Sequence, residues 1–168
     1  LKVLVLGGSL GAEKLNKIMP VMIHDFNSDY ILKIKHQCGE KHYSNTQEIY
    51  KKYNVDANVL PFIDDMVGAY MWADIVICRS GAMTVSELIA TNTLAILVPF
   101  PYAVDNHQAM NAQYLSKNGA GILIEESIFN AELIEKEMLA LNSEKLQEMT
   151  KNLKLLSVPN PEMIIADY

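Results

Sequence analysis

No apolar run in these 168 residues approaches the ~20 that a membrane-crossing helix needs. Arginine is nearly missing, with Arg79 the only one in the chain. Fourteen lysines and arginines stand against 20 acids, a formal net charge of −6 with a pI near 5.2. That balance argues against a nucleic-acid surface or a broadly basic membrane face, so any anion must be held locally. Cysteine is scarce too. Cys38 and Cys78 lie far apart and form neither a disulfide framework nor a metal-ligand spacing, which fits a reducing cytoplasm. There is no internal repeat and no low-complexity linker. No signal-peptide pattern precedes the first strand, and Leu1 opens inside a strand pattern without an initiator methionine, as expected of a piece of a longer protein. The dinucleotide fingerprint is also wanting. It needs G-x-G-x-x-G after the first strand and an acid at the tip of the second. Here the first strand meets Gly7-Gly8-Ser9-Leu10-Gly11-Ala12, and the second ends in His36-Gln37-Cys38-Gly39. A nicotinamide or flavin dehydrogenase is disfavoured.

What is present reads as one α/β domain spanning residues 1–168. Half the residues are hydrophobic and a fifth are charged, as in a globular domain and unlike a disordered chain. Apolar strand patterns near 2–6, 30–35, 57–60, 74–78, 94–98 and 121–124 alternate with helical ones near 12–24, 43–53, 65–72, 82–91, 106–117 and 131–140. Such alternation predicts a Rossmann-like, doubly wound parallel sheet of about six strands with helices on both faces. Beyond Asn130 a Glu/Lys/Leu-rich helical pattern continues to about Leu156. Val158-Pro159-Asn160-Pro161 then breaks it before a last helix within 157–168 that stops, truncated, at Tyr168.

The most informative stretch is Cys78-Arg79-Ser80-Gly81-Ala82-Met83-Thr84-Val85-Ser86-Glu87. An apolar strand breaks there into a small, hydroxyl-rich turn that opens a helix. A helix N-terminus offers unpaired N–H groups and the positive end of its dipole, so a diphosphate can sit there without a cluster of lysines. Thr84 and Glu87, three apart, share a helix face, so a hydroxyl for phosphate and a carboxylate for sugar would line one pocket. The plainer possibility is an N-capped helix with Glu87 solvated and Arg79 pairing a carboxylate. The glycine turn after the first strand is a second phosphate-suited element, with Ser9 as a hydroxyl donor.

These segments, with Phe62-Ile63-Asp64-Asp65-Met66, Pro99-Phe100-Pro101, Asn106-His107-Gln108 and Asn111-Ala112, resemble in order and spacing the C-terminal half of the MurG family of bacterial glycosyltransferases. The motifs run to about residue 125. The resemblance implies the donor-binding half of a GT-B enzyme that transfers N-acetylglucosamine from its UDP donor to undecaprenyl-linked muramyl-pentapeptide, lipid I. Carried over residue by residue, Ile63 would meet uracil through its backbone, with Phe62 and Met66 walling that pocket. Glu87 would accept both ribose hydroxyls. The Ala82, Met83 and Thr84 amides, with the Thr84 hydroxyl, would face the diphosphate, Ser9 would close over it, and Arg79, Val85 and Ser86 would complete the substrate-binding run. Gln108 and Asn111 would point amides at the sugar. The resemblance further implies no cofactor, no metal and no catalytic residue in this half. The general base, the acceptor site and the membrane-contacting patch belong to an N-terminal domain, the partner through which lipid I is reached. The whole enzyme would sit in the cytoplasm, peripheral on the inner face of the cell membrane.

Other residues have plainer expectations. Asp64 and Asp65 read as an N-cap and first-turn acid. His36 reads as a hydrogen-bonded structural residue, and Met19, Met22, Met66, Met71, Met83 and Met110 as core and pocket filling. Tyr43, Tyr50 and Tyr53 should cover a sheet edge, and Glu125-Glu126 should form a solvated turn. Two alternatives stay open. One is a naturally separate donor subunit of a two-component transferase. The other is a UDP-N-acetylglucosamine epimerase on the same scaffold, with His107 and Asp105 as weak acid/base candidates.

Overall fold

The computed structural model describes residues 1–8, 10–27, 31–103 and 106–157. Ser9, Asp105 and the last helix expected within 157–168 thus fall, wholly or nearly so, outside the described residues. Six strands, β1 (Lys2–Leu6), β2 (Lys33–Gln37), β3 (Asn58–Leu60), β4 (Ile75–Cys78), β5 (Ala95–Leu97) and β6 (Ile122–Leu123), form one sheet in the order β3-β2-β1-β4-β5-β6. Every pairing is parallel. The helices are α1 (Glu13–Asp25), α2 (Tyr43–Lys52), α3 (Met66–Trp72), α4 (Ala82–Thr91), α5 (His107–Lys117), α6 (Ala131–Leu139) and α7 (Ser143–Ser157).

The strand order turns at β1. The chain winds from β1 outward to β3, then returns to β4 on the other side and winds outward to β6. Because strand–helix–strand crossovers are right-handed, the two directions of winding put their helices on opposite faces. Accordingly α1 packs with α2 and α6, while α4 packs with α3, α5 and α7. The central strands are apolar along their length because both faces are covered: Val3, Leu4, Val5, Val76, Ile77 and Ile96 are inaccessible to solvent. Asp74 pins the entry of β4 to β1, its carboxylate accepting the Lys2 amide at 2.7 Å.

Three details differ from the sequence expectation. Strand β2 lies later, at Lys33–Gln37, since its register against β1 runs Lys2 with Lys33 through Leu6 with Gln37. The helical pattern beyond Asn130 is two helices. Buried Leu141 turns into the core, and Asn142 Oδ1 accepts the Lys145 amide at 2.8 Å as a cap that starts α7. The methionines divide: Met19 and Met22 are core, but Met71, Met83 and Met110 are 78%, 77% and 57% exposed. Helical spacing cannot separate an apolar side chain facing the sheet from one at a helix end or outer face.

Candidate functional site

In a doubly wound sheet a crevice opens beyond the carboxyl ends of the strands where the winding reverses, here between β1 and β4. A cleft of about 760 Å³ occupies that position. Its walls are the glycine turn after β1, the first turns of α1 with Lys14 and Lys17, His42, the β4–α4 turn with Arg79, Gly81 and Thr84, and then Phe100, Gln108 and Glu126. The glycine turn is held by a neighbour. Gly11 and Gly39 have φ of +78° and +86°, and a Cβ on Gly39 would stand 2.7 Å from the Gly11 amide nitrogen. A Cβ on Gly11 would run into the Cys38 carbonyl oxygen and the His42 ring. Both positions therefore demand glycine, and the turns after β1 and β2 lie back to back.

The start of α4 is chemically open. Ser80 is the obvious capping hydroxyl, yet it is fully buried and donates to the Gln108 carbonyl at 2.8 Å. Gly81 takes the N-cap position with extended backbone and no side-chain cap. The first backbone bond of the helix runs from the Val85 amide to the Gly81 carbonyl at 3.0 Å. Among the described residues nothing accepts from the amides of Ala82, Met83 or Thr84, so the positive helix end carries three donors without partners. Gly81 and half-buried Thr84 face the cleft. Ser86 is exposed on the outer surface, whereas Val85 is core, 7% exposed and with its amide already engaged.

Arg79 stands at the cleft wall but is committed to protein. Its Nη1 donates to the carbonyls of Val98 at 3.1 Å and Pro99 at 3.4 Å, and its Nη2 pairs with the Glu126 carboxylate. Its guanidinium carbon lies 5.3 Å from the Phe100 ring centroid. Side chains of this pair are only 16% and 19% exposed. The expectation of a solvated Glu125-Glu126 turn is therefore corrected for Glu126: only Glu125 is exposed, and Glu126 neutralises the chain's one arginine. The planar guanidinium, with its fork of donors, joins the ends of β4, β5 and β6.

Glu87 lies one helical turn beyond Thr84. One of its oxygens, Oε2, accepts from the Tyr70 hydroxyl at 2.9 Å. Tyr70 belongs to α3 and is 1% exposed. Burial, reinforced by Glu87, pushes its phenol above the ordinary range, so it remains a proton donor. Ahead of α3, Phe62 is half exposed, Ile63 is buried at 8%, and Met66 is partly buried. These residues and Glu87 sit along the α3–α4 edge, beyond the walls of the cleft itself. Gln108 lines the cleft while its Oε1 accepts the Phe100 amide at 3.0 Å. Asn111 donates to the Ser80 carbonyl at 3.0 Å, which stabilises the β4–α4 turn.

Of the acids before α3, Asp65 is the cap, accepting the Gly68 amide at 2.8 Å, and Asp64 is exposed. His36 is structural. It is fully buried, its Nδ1 2.9 Å from the Tyr50 hydroxyl and its Nε2 3.0 Å from Asn16 Oδ1. Asn16 donates from Nδ2 to the Cys38 carbonyl, so its Oδ1 must accept, which makes Nε2 the protonated ring nitrogen and Nδ1 the acceptor from Tyr50. Desolvation lowers the His36 pKa to about 3. Tyr50 is thus a buried partner, while Tyr43 and Tyr53 are half-buried on the same helix margin.

Sequence reasoning missed Lys14, Lys17, His42, Phe100 and Glu126 as cleft walls. The lysines follow the glycine turn directly and are spaced i, i+3, a signal that was available. The other three come from turns after different strands, and only the fold unites them. Among the described residues no group of three or more His, Cys, Asp or Glu side chains is placed to hold a metal. No described helix is long and apolar enough to cross a membrane.

A parallel 3-2-1-4-5-6 sheet with an open helix start at its switch point is a Rossmann-like architecture, the one that each half of a GT-B glycosyltransferase adopts. Residues 2–162 match the glycosyltransferase family 28 C-terminal domain, and the chain belongs to that family. It is 42% identical over 168 residues to the UDP-N-acetylglucosamine–N-acetylmuramyl-(pentapeptide) pyrophosphoryl-undecaprenol N-acetylglucosamine transferase of Ectopseudomonas mendocina. That alignment covers 99% of this chain and 47% of the relative. The transferase of the same description from Azotobacter vinelandii is 40% identical, with 48% of its length covered. The crystal structure of Acinetobacter baumannii MurG superposes with a TM-score of 0.86 at 37% identity, covering 99% of this chain and 51% of that one. The glycosyltransferase VinC shares the fold at a TM-score of 0.69, with 11% identity over 98% of this chain and 40% of its own. The chain thus spans about half the length of the relatives it matches.

Proposed function

We propose that this chain is the donor-binding half of an inverting hexosyltransferase that moves N-acetylglucosamine from UDP-N-acetylglucosamine to undecaprenyl-diphospho-muramoylpentapeptide, converting lipid I to lipid II in peptidoglycan synthesis. The observation that carries this is the open start of α4: three unpartnered amides and the Thr84 hydroxyl at the switch-point cleft. Preorganised donors and a helix dipole at that point stabilise the charge that develops on the departing diphosphate, and do so more strongly as water is excluded. The diphosphate lies over Ala82, Met83 and Thr84, with the glycine turn opposite, and Ser9 is assigned to it by the family resemblance alone. Uracil lies against Ile63, with Phe62 and Met66 around it, ribose lies on Glu87, and the sugar lies toward Gln108. Arg79 and Asn111 shape the loops around the donor, with Val85 packing beneath and Ser86 at the margin. No cofactor is required for this binding, since the charge is held by dipoles and side chains.

The general base and acceptor site are assigned to an N-terminal domain, through which lipid I and the inner face of the cytoplasmic membrane are reached. Calorimetric titration tests the reading. UDP and UDP-N-acetylglucosamine should bind weakly and ADP-sugars and NAD not at all, and equal affinity for adenine and uracil nucleotides overturns it. Alone, the chain should transfer no sugar to a lipid I analogue, with or without a divalent ion. Turnover by the isolated chain would place a catalytic base among the residues that hold the fold together.

A further inference from the structure

We infer that Tyr70 is the positioning residue for nucleotide recognition: its hydroxyl holds the Glu87 carboxylate in the orientation that reads ribose. The inference rests on the ribose assignment of Glu87 above. A glutamate on a half-exposed helix face has three rotatable bonds and spreads over many rotamers, so recognition by it loses entropy on binding. Tyr70 removes most of that freedom. Its ring is 1% exposed and packed in the core, so the hydroxyl emerges from a fixed point and donates to Oε2 at 2.9 Å. Among the described residues no donor reaches Oε1, which is left to accept from a ligand. The phenol, pushed upward by burial and by Glu87 itself, stays protonated at neutral pH and keeps donating.

The position of Tyr70 in the chain extends the argument. It lies on α3, four residues beyond Met66, on the helix that the Phe62-Ile63 loop leads into. Glu87 lies on α4, the helix whose first turn carries the open amides. The backbone of Tyr70 is tied down as well, its carbonyl accepting from the buried Thr93 hydroxyl at 3.4 Å beyond the end of α4. The Tyr70–Glu87 bond therefore fixes the segment assigned to the base relative to the helix assigned to the diphosphate, with ribose between them. A rigid acceptor in that place discriminates for ribose hydroxyls, since an analogue without them leaves a preorganised carboxylate unpaired.

The test compares UDP with 2′,3′-dideoxy-UDP on the parent chain, Tyr70→Phe, Glu87→Ala and the double variant, by calorimetry with displacement titration for weak ligands. Phenylalanine keeps the ring and its packing. The expected result is roughly three- to tenfold weaker UDP binding in Tyr70→Phe, no change for the dideoxy ligand, and no added effect of Tyr70→Phe once Glu87 is alanine. Equal weakening for both ligands makes Tyr70 merely structural and overturns the inference. So does unchanged UDP binding in Tyr70→Phe while Glu87→Ala weakens it. If Glu87→Ala itself binds UDP like the parent, the ribose assignment fails, and the inference fails with it.

Discussion

Removing the Arg79 guanidinium tests whether it braces the cleft or binds the diphosphate. Arg79→Ala deletes an ion pair to Glu126 and two hydrogen bonds to the Val98 and Pro99 carbonyls, and uncovers the face of Phe100. Breaking a fully buried pair typically costs about 3–5 kcal/mol, because the surviving charge is left without a partner. In this protein the two side chains are 16% and 19% exposed, so water screens part of that loss. A destabilisation of about 2–3 kcal/mol is the reasonable magnitude. For a domain of this size that lowers the melting temperature by roughly 4–12 °C. The pair should also be strongly coupled: Arg79→Met with Glu126→Leu together should cost less than the two single changes added, because no uncompensated charge remains. Urea denaturation of the four proteins measures this. UDP titration supplies the functional arm. If Arg79 acts as a brace, Glu126→Ala loosens three loops and weakens UDP binding; if its charge serves the diphosphate directly, freeing it from Glu126 tightens binding. Additive stabilities, or an Arg79→Ala protein as stable as the parent, would refute the reasoning.

Three further outcomes follow from single contacts. Asp65→Ala removes the α3 cap and should cost about 1 kcal/mol, a fall of roughly 2–4 °C in melting temperature, while Asp64→Ala should change little; equal effects in thermal melts contradict the cap. His36 is held neutral when folded, with a pKa of about 3 against an ordinary value near 6.5. The unfolded chain thus takes up the proton first on acidification, and the stability this group supplies is complete above about pH 6.5 and declines toward pH 3. Between pH 7.5 and 5 that is about 2 kcal/mol, which His36→Gln should abolish in paired urea titrations; an identical pH slope in the variant rejects it. Gly11→Ala, at φ +78° and against the Cys38 carbonyl, should cost on the order of 2 kcal/mol and weaken UDP binding through displacement of the glycine turn. A variant with parental stability and affinity would show that the turn adapts freely.

Much of the architecture was legible in the chain, because strands buried on both faces must be continuously apolar and their helices must alternate with them. That pattern placed β1 at Lys2–Leu6 and α4 at Ala82–Thr91, where the structure has them, and the turns at Gly7-Gly8 and Ser80-Gly81 marked strand ends that border the cleft. Boundaries set by single tertiary contacts were less visible. The helical pattern beyond Asn130 was interrupted because Leu141 found a place in the core, and Asp65 rather than Asp64 became the cap because only its carboxylate reaches the Gly68 amide.

The sequence alone thus determined the parallel α/β class, the two phosphate-suited turns, the spacing of Thr84 and Glu87 on one helix face, and the resemblance to a sugar-nucleotide transferase. Local pattern carries those properties, since periodicity and turn chemistry act over a few residues. Only the tertiary structure decided the cap and clamp partners. Ser80 could have capped α4, but the chain folds its hydroxyl onto the Gln108 carbonyl 28 residues away and leaves the helix start open. Arg79 could have met a ligand, but Glu126, on the turn beyond β6, reaches it first. Nothing in the local pattern singles out Tyr70, whose hydroxyl the fold brings onto Glu87, 17 residues on. Each of these pairings joins residues that are distant in sequence, and hydrogen bonds of that kind exist only after the sheet has brought its strand ends together.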